Sequence, residues 1–508
     1  MLAWLLVSAI MFRLCDRFWR LASYSIEAIP YRFQLDYGEG VVWQQALLIL
    51  SPSAYGPIDR FPATPFEYAP LFHLVTRAAV ALTGGDGLAL GRSVSLCAAV
   101  LLAMLIFIIT ERVSRQDAEP MRTKATALAG LISALLFLTS GAAAHFAVLM
   151  RVDALAILLA VSGFATAALS VQRRALIVPA AFLFVGAVYT KQNTIAAPLA
   201  VFATLLWLTP RTALIGIATC LLVGGPILAL LIQRSDGRVL LHLFRYNINV
   251  VTGGQIRLLA VFITSHAALI AIAAMTIRSW MQHAAFVANR ESIARLRQRV
   301  LTSSCARWRL FLVAYTATTT MMLSGMAKTG ASSNYAMEWS AVVSIVTGVG
   351  LREFLRWLTS TNRVPMTGHA PFLPLLLLTL HTWSKPARLR ANTVPDGEVV
   401  ALDSLTRIVR EDHRPIISDE MVLVIRAGKA IELETALFTD LAKQGLVDEA
   451  EYIARIRRRD FAMFVVQYEQ GSEDFNARYS PAVADAIAES YHFNGRIGSY
   501  NVFLPAPP

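Results

Sequence analysis

Ala213-Leu-Ile-Gly-Ile-Ala-Thr-Cys-Leu-Leu-Val-Gly-Gly-Pro-Ile-Leu-Ala-Leu-Leu-Ile232 carries no charged side chain and lies between Arg211 and Arg234. A helix of this length crosses a hydrocarbon core of about 30 Å, and a helix satisfies its own backbone there. The stretch therefore predicts a membrane span, and the rest of the chain is read outward from it.

Comparable apolar runs occupy Met1–Leu14, Leu88–Thr110, Ala125–Ser140, Ala154–Val171, Ala175–Tyr189, Thr194–Leu208, Leu258–Ile277, Leu310–Met326, Trp339–Leu355 and Phe372–Trp383. The expectation is a polytopic α-helical membrane protein with about eleven transmembrane helices. Composition agrees: of 508 residues 56% are hydrophobic and only 16% charged, with mean hydropathy +0.53. A soluble domain carries about a quarter charged residues. The net charge of +12 could suggest nucleic acid, but the basic residues sit mostly in short segments between apolar runs, where topogenic charge explains them. The cysteines Cys15, Cys97, Cys220 and Cys305 have no metal-ligand spacing, so neither a disulfide nor a structural zinc site is expected.

Arg112 to Lys124, Arg173–Arg174, Arg211, the stretch from Arg278 to Arg309 with Arg295, Arg297 and Arg299, and Arg352 to Arg363 link alternate spans. Their basic excess places them in the cytoplasm. The opposite face then receives the long segment from Cys15 to Gly87, His145 to Asp153, Thr190 to Asn193, Gln233 to Arg257 and Lys328 to Glu338. The amino terminus is expected in the cytoplasm and the carboxyl-terminal part outside. Met1–Leu14 is short for a span and lacks a basic amino end and a small-residue cleavage site, so a removed signal peptide is not expected. Either the helix continues toward Trp19 or the start lies upstream.

After Ser384 the composition becomes that of a soluble fold. Extended runs at Glu398–Leu402, Pro415–Ser418 and Phe461–Gln467 alternate with helical stretches at Leu433–Gln444 and Asp448–Arg457, which predicts a small α/β domain over 384–508. Residues 1–383 form the membrane domain, with a long first outer loop over 15–87 that contains juxtamembrane helices.

That loop is the part that anchoring does not explain. It reads Tyr31-Arg-Phe-Gln-Leu-Asp36-Tyr-Gly-Glu39-Gly, then an apolar stretch from Val41 to Leu50, then Glu67-Tyr68-Ala-Pro70-Leu-Phe-His73. Asp36 and Glu39 have the spacing of a capping box for a helix beginning near Val41, and they are equally two carboxylates at the membrane surface, where a base acting on an outward acceptor would lie. Arg151, Lys191, Arg245 and Lys328 are outward cations that could face a phosphate or snorkel to the interface. Asn334 and Glu338 could orient a substrate or cap the following helix, and Arg151 could pair with Asp153. His73 and His242 read as interface residues.

Asp36-Tyr37-Gly38-Glu39-Gly40, Phe66-Glu67-Tyr68-Ala69-Pro70-Leu71, Arg151-Val152-Asp153, Tyr189-Thr190-Lys191-Gln192 and Ser333-Asn334-Tyr335-Ala336-Met337-Glu338 resemble, in order and spacing, the GT-C glycosyltransferases. The similarity is to bacterial family 39-like members related to protein mannosyltransferases and to the lipid A aminoarabinose transferase. It implies an inverting transfer from a polyprenyl-phosphate-linked sugar to an acceptor hydroxyl of a glycan, lipid or protein, in the bacterial inner membrane. Asp36 would be the base with Glu39 beside it, and Lys191, Arg245, Arg151 and Lys328 would receive the donor phosphate. Glu67, Tyr68, Asn334 and Glu338 would orient substrates. No cofactor is required by the residues, although a divalent cation, magnesium or manganese, is compatible with Asp36, Glu39 and donor oxygens. Two other classes stay open: a multi-pass transporter, and a non-catalytic membrane scaffold whose outer domain binds a partner. The sugar and the acceptor are not encoded in any motif.

Overall fold

The computed structural model describes residues 2–114, 124–247, 250–288, 293–359, 373–384 and 396–507. Each expected span except Leu258–Ile277 overlaps a single α-helix in this set. Four helices are by themselves long and apolar enough to cross a membrane: Gly87–Ser114, Asp153–Ser170, Pro210–Arg234 and Ser304–Ala327. Leu71–Thr83, Lys124–Leu138, Arg174–Thr190, Ala196–Leu208 and Leu373–Ser384 are apolar but shorter. The first helix runs Leu2–Ala28, well beyond the apolar run that announced it. The chain thus has a polytopic helical membrane fold.

The expected single span Leu258–Ile277 is instead a broken pair, Gly253–Ser265 and Ala267–Gln282, bent by 63°. The break has a local cause. Thr264 donates to the Ala260 carbonyl, Ser265 to that of Phe262, and the His266 ring nitrogen also contacts the Phe262 carbonyl at 2.8 Å. Consecutive polar side chains bonding back onto the preceding turn disturb its ladder and bend it.

Small residues let the helices approach closely, as they must where lipid supplies no hydrophobic drive for association. A Cβ at Gly163 would stand 2.6 Å from the Phe184 ring. Around Phe164 the rings of Tyr315, Trp308 and Phe311 pack with centroids 4.7, 6.2 and 6.2 Å away, joining Asp153–Ser170 to Ser304–Ala327.

The carboxyl-terminal residues form a four-stranded sheet, β1 (Ile417–Ser418), β2 (Phe464–Val466), β3 (Tyr491–Ile497) and β4 (Tyr500–Pro505), in the order β1-β2-β4-β3. β1 and β2 are parallel and the other pairs antiparallel. Glu398–Leu402, expected as a strand, belongs to the helix Asp396–Glu411. Its β-like window is too short to show the helical spacing of Leu402, Leu405 and Val409, all buried.

The first loop and this carboxyl-terminal part share one core. Phe33, Val41, Val42 and Phe72 from the loop pack with Leu402, Leu405, Met421, Val422 and Val502. The helix Glu39–Leu48 is covered rather than exposed, and at Gly40 an added Cβ would fall 2.9 Å from the Val422 backbone nitrogen. Polar bonds stitch the same seam: Ile431 N–H donates to Gln44 at 2.5 Å and Ala63 N–H to the Glu432 carbonyl at 2.7 Å.

Candidate active site

Asp36, Arg151, Asp153, Lys191, Lys328, Tyr335 and Glu67 come from five separate segments of the chain and meet at one end of the bundle, beside the shared core. The arrangement begins at Gly38. Its φ of +99° turns the chain from Asp36 into the helix Glu39–Leu48, and a Cβ there would stand in tight contact with the Arg151 guanidinium, 3.1 Å away. Only glycine suits both demands.

Arg151 donates to the Asp36 carboxylate at 2.5 Å and to the Tyr37 carbonyl at 2.7 Å. His145 Nε2 stands 3.8 Å from the other Asp36 oxygen. Burial acts to raise the Asp36 carboxyl, but the Arg151 charge and the bonds from His145 and Arg151 outweigh it and hold it at about 2. The capping-box reading fails here: no side chain caps Glu39–Leu48, and Asp36 offers only its backbone carbonyl to the Glu39 N–H.

Glu39 is a structural residue. One oxygen accepts from Arg92 Nε at 2.9 Å and Met150 N–H at 2.8 Å, the other from Arg92 Nη2 and Leu35 N–H, both at 2.7 Å. Neither Glu39 nor Arg92 is exposed at all. With both oxygens engaged in this way, Glu39 has no face to offer a substrate or a cation, which corrects its expected place beside the base. The same geometry removes the expected Asp36/Glu39 cation pair, and among the described residues no cluster of three or more metal-ligating side chains occurs.

Lys191 donates to Asp153 at 2.5 Å, and Asn334 Nδ2 donates to the same oxygen at 3.2 Å. Arg151 and Asp153 therefore do not pair with each other; each reaches a different partner. The second Asp153 oxygen is buried and has no hydrogen-bond partner among the described residues. Asn334 does not cap the next helix either, since its side chain turns toward Asp153 and Ser332. The Tyr335 ring is approached by two ammonium groups, Lys191 Nζ 4.9 Å and Lys328 Nζ 5.3 Å from its centroid. Among the described residues, Lys328 otherwise donates only to the Asn247 carbonyl, at 3.3 Å. Glu338 accepts from the Tyr315 hydroxyl at 2.7 Å.

Glu67 is half-buried and its carboxylate has no hydrogen-bond partner among the described residues. Desolvation, reinforced by the Glu434 charge and opposed by Arg151 and Lys328, pushes it up to about 7. Its backbone carbonyl accepts from Gln192 at 2.8 Å and Asn247 at 3.3 Å, which fixes the segment. Neighbouring Tyr68 is raised, mainly by burial and then by the charge of Glu67. Arg245 is not part of the cluster: it is exposed and makes no hydrogen bond or ion pair with it. His73 and His242 are buried rather than interfacial. His242 bridges the Phe66 N–H at 3.0 Å and the Gly56 carbonyl at 2.7 Å, bracing the loop ahead of Glu67.

Sequence reading missed Arg92, Asp153 as the lysine's partner, Tyr335 beside its cations, and His145. Arg92 carried a signal, since a lone arginine inside an apolar run needs a buried partner.

This architecture recurs, as a fold, in solved proteins. Two solved structures share it across nearly the whole chain. ArnT from Cupriavidus metallidurans bound to undecaprenyl phosphate superposes with a TM-score of 0.56 at 14% identity, covering 97% of this chain and 99% of that one. The same protein in the apo state gives 0.57 at 13% identity, covering 96% and 98%. No protein-family model matches the chain, and no curated protein sequence matches it significantly.

Proposed function

We propose that the protein is a membrane glycosyltransferase that moves a sugar from a polyprenyl-phosphate-linked donor to an acceptor hydroxyl, with inversion at the anomeric carbon. One observation carries this reading. Asp36 and Lys191, far apart in sequence, are linked through Arg151-Val152-Asp153 into a single cluster of side chains that Lys328 and Glu67 adjoin. The undecaprenyl phosphate bound by the ArnT structure of like fold supports a donor of that class.

In this reading Lys191, Lys328 and Arg151 receive the donor phosphate. Charge that develops on the leaving oxygen is met by fixed cations, each worth about 3 kcal/mol of barrier in comparable sites. Asp36 is ionised at neutral pH and takes the proton of the attacking hydroxyl. In the unliganded site Arg151 keeps it a weak base. A phosphate that shares the guanidinium relieves that restraint, so donor binding strengthens the base. Glu67 orients the acceptor hydroxyl.

A second assignment is favoured by the Glu67 carboxyl near 7, the range that suits a general base at neutral pH. In it Glu67 takes the proton and Asp36 serves to position Arg151. The outward, non-cytoplasmic orientation of the cluster is part of the proposal and rests on the distribution of basic linkers.

The test is transfer itself. Purified membranes carrying the chain are incubated with a panel of radiolabelled polyprenyl-phosphate sugars, and the product anomer is identified. Transfer with inversion is expected for one donor and not in Asp36→Asn. Retention of configuration, or full transfer by Asp36→Asn at normal protein levels, would refute the mechanism.

A further inference from the structure

A cavity of about 710 Å³, separate from the cluster above, opens between the loop helices Glu39–Leu48 and Leu71–Thr83 and the carboxyl-terminal helices Asp396–Glu411 and Met421–Arg426. Its floor includes Val80, Asp86 and Gly87, where the span Gly87–Ser114 begins. The cavity therefore lies at headgroup depth on the site's side of the bilayer. Leucines beside it face outward, Leu47 at 47%, Leu50 at 59% and Leu82 at 87% exposure, as expected of a surface wetted by lipid.

The charges around it do not balance. Arg32 pairs with Asp403 at 2.6 Å, and Arg426 pairs with Asp86 at 3.0 Å while lying over the Trp43 ring. That consumes both lining carboxylates. Arg407 is left with the Ser404 hydroxyl at 3.2 Å and Arg410 with the Arg426 carbonyl at 2.8 Å. Neither meets a carboxylate among the described residues, and they sit one turn apart on one exposed helix face.

We infer that this cavity holds the phosphodiester headgroup of an anionic phospholipid from the adjoining leaflet, with Arg407 and Arg410 on the phosphate and the acyl chains leaving past Leu47 and Val80. Guanidinium groups match phosphate oxygens in pairs, and basic residues near a membrane surface are attracted to its anionic headgroups. A zwitterionic lipid brings a second cation toward the same two arginines and is disfavoured. Bound there, the lipid ties the first loop and the carboxyl-terminal part to the membrane together.

The experiment titrates the purified full-length chain in detergent with short-chain phosphatidylglycerol, short-chain phosphatidylcholine and glycerol phosphate. It reads the fluorescence that Trp43→Phe removes and the bound lipid by native mass spectrometry. Saturable binding of phosphatidylglycerol is expected, at least about tenfold tighter than phosphatidylcholine and lost in Arg407→Glu/Arg410→Glu with unchanged melting temperature. Should that variant misfold, Arg407→Gln/Arg410→Gln must still weaken binding. Equal affinity for both lipids, binding that survives either double variant, or glycerol phosphate matching the lipid would each overturn the assignment. Because the readout is binding, it stands or falls independently of sugar transfer.

Discussion

Arg92 grips both oxygens of Glu39 at a depth where neither side chain meets solvent. The pair nails the first residue of the helix Glu39–Leu48 to the start of the span Gly87–Ser114. Breaking a buried pair strands the remaining charge, typically at about 3 to 5 kcal/mol. Glu39→Gln should melt at a markedly lower temperature in detergent, while its surviving folded fraction keeps the wild-type donor KM. A variant that melts normally and transfers nothing would return Glu39 to the chemistry.

Asp36→Asn removes the charge that Arg151 faces and the proposed proton acceptor together. Turnover should fall by about 10² to 10⁴ with normal protein levels and melting temperature.

Lys328 separates donor binding from folding more cleanly than Lys191, because Lys191→Ala would leave the buried Asp153 carboxylate without its cation. Lys328→Ala should raise the donor KM about tenfold and leave the melting temperature within about 1 °C, since it loses one carbonyl bond and one ring contact.

Glu67→Gln should raise the acceptor KM about tenfold, the worth of one charged hydrogen bond, and abolish a pH dependence of that KM centred near 7. A hundredfold fall in kcat with loss of a rising limb through pH 7 would move the base from Asp36 to Glu67.

Glu420 lies under the loop, accepting from the Gln34 N–H at 3.2 Å and the Tyr500 hydroxyl at 2.7 Å, and desolvation pushes it up to about 8. The folded state binds its proton more tightly than the unfolded chain. The stability this brings is full below about pH 4.5 and is lost as pH rises toward 8. Glu420→Gln should therefore melt higher than wild type at pH 8.5, with the gap closing at pH 5. A gap that is constant across this range would show that Glu420 does not titrate there.

The membrane helices were legible because long apolar runs have few alternatives in lipid, and the bend at His266 was not, because three back-bonding side chains leave hydropathy unchanged. Within the site, the sequence segments were found but the pairings were wrong. Arg151 and Asp153 look like natural partners two residues apart, yet the first turn of Asp153–Ser170 sends them to Asp36 and Lys191. Glu39 looked reactive because its partner Arg92 was hidden within an apolar run. The hairpin of β3 and β4 was missed because β3 has a mostly exposed face and little apolar alternation to announce it.

The seam between Val41, Val42 and Phe72 on one side and Met421, Val422 and Val502 on the other bears on how the carboxyl-terminal part could be exchanged. Swapping only the tail after Ser384 for that of a relative would confront one half of a fitted joint with a foreign half. The unit of exchange is the first loop and the tail taken together, two stretches that the sequence holds about 300 residues apart.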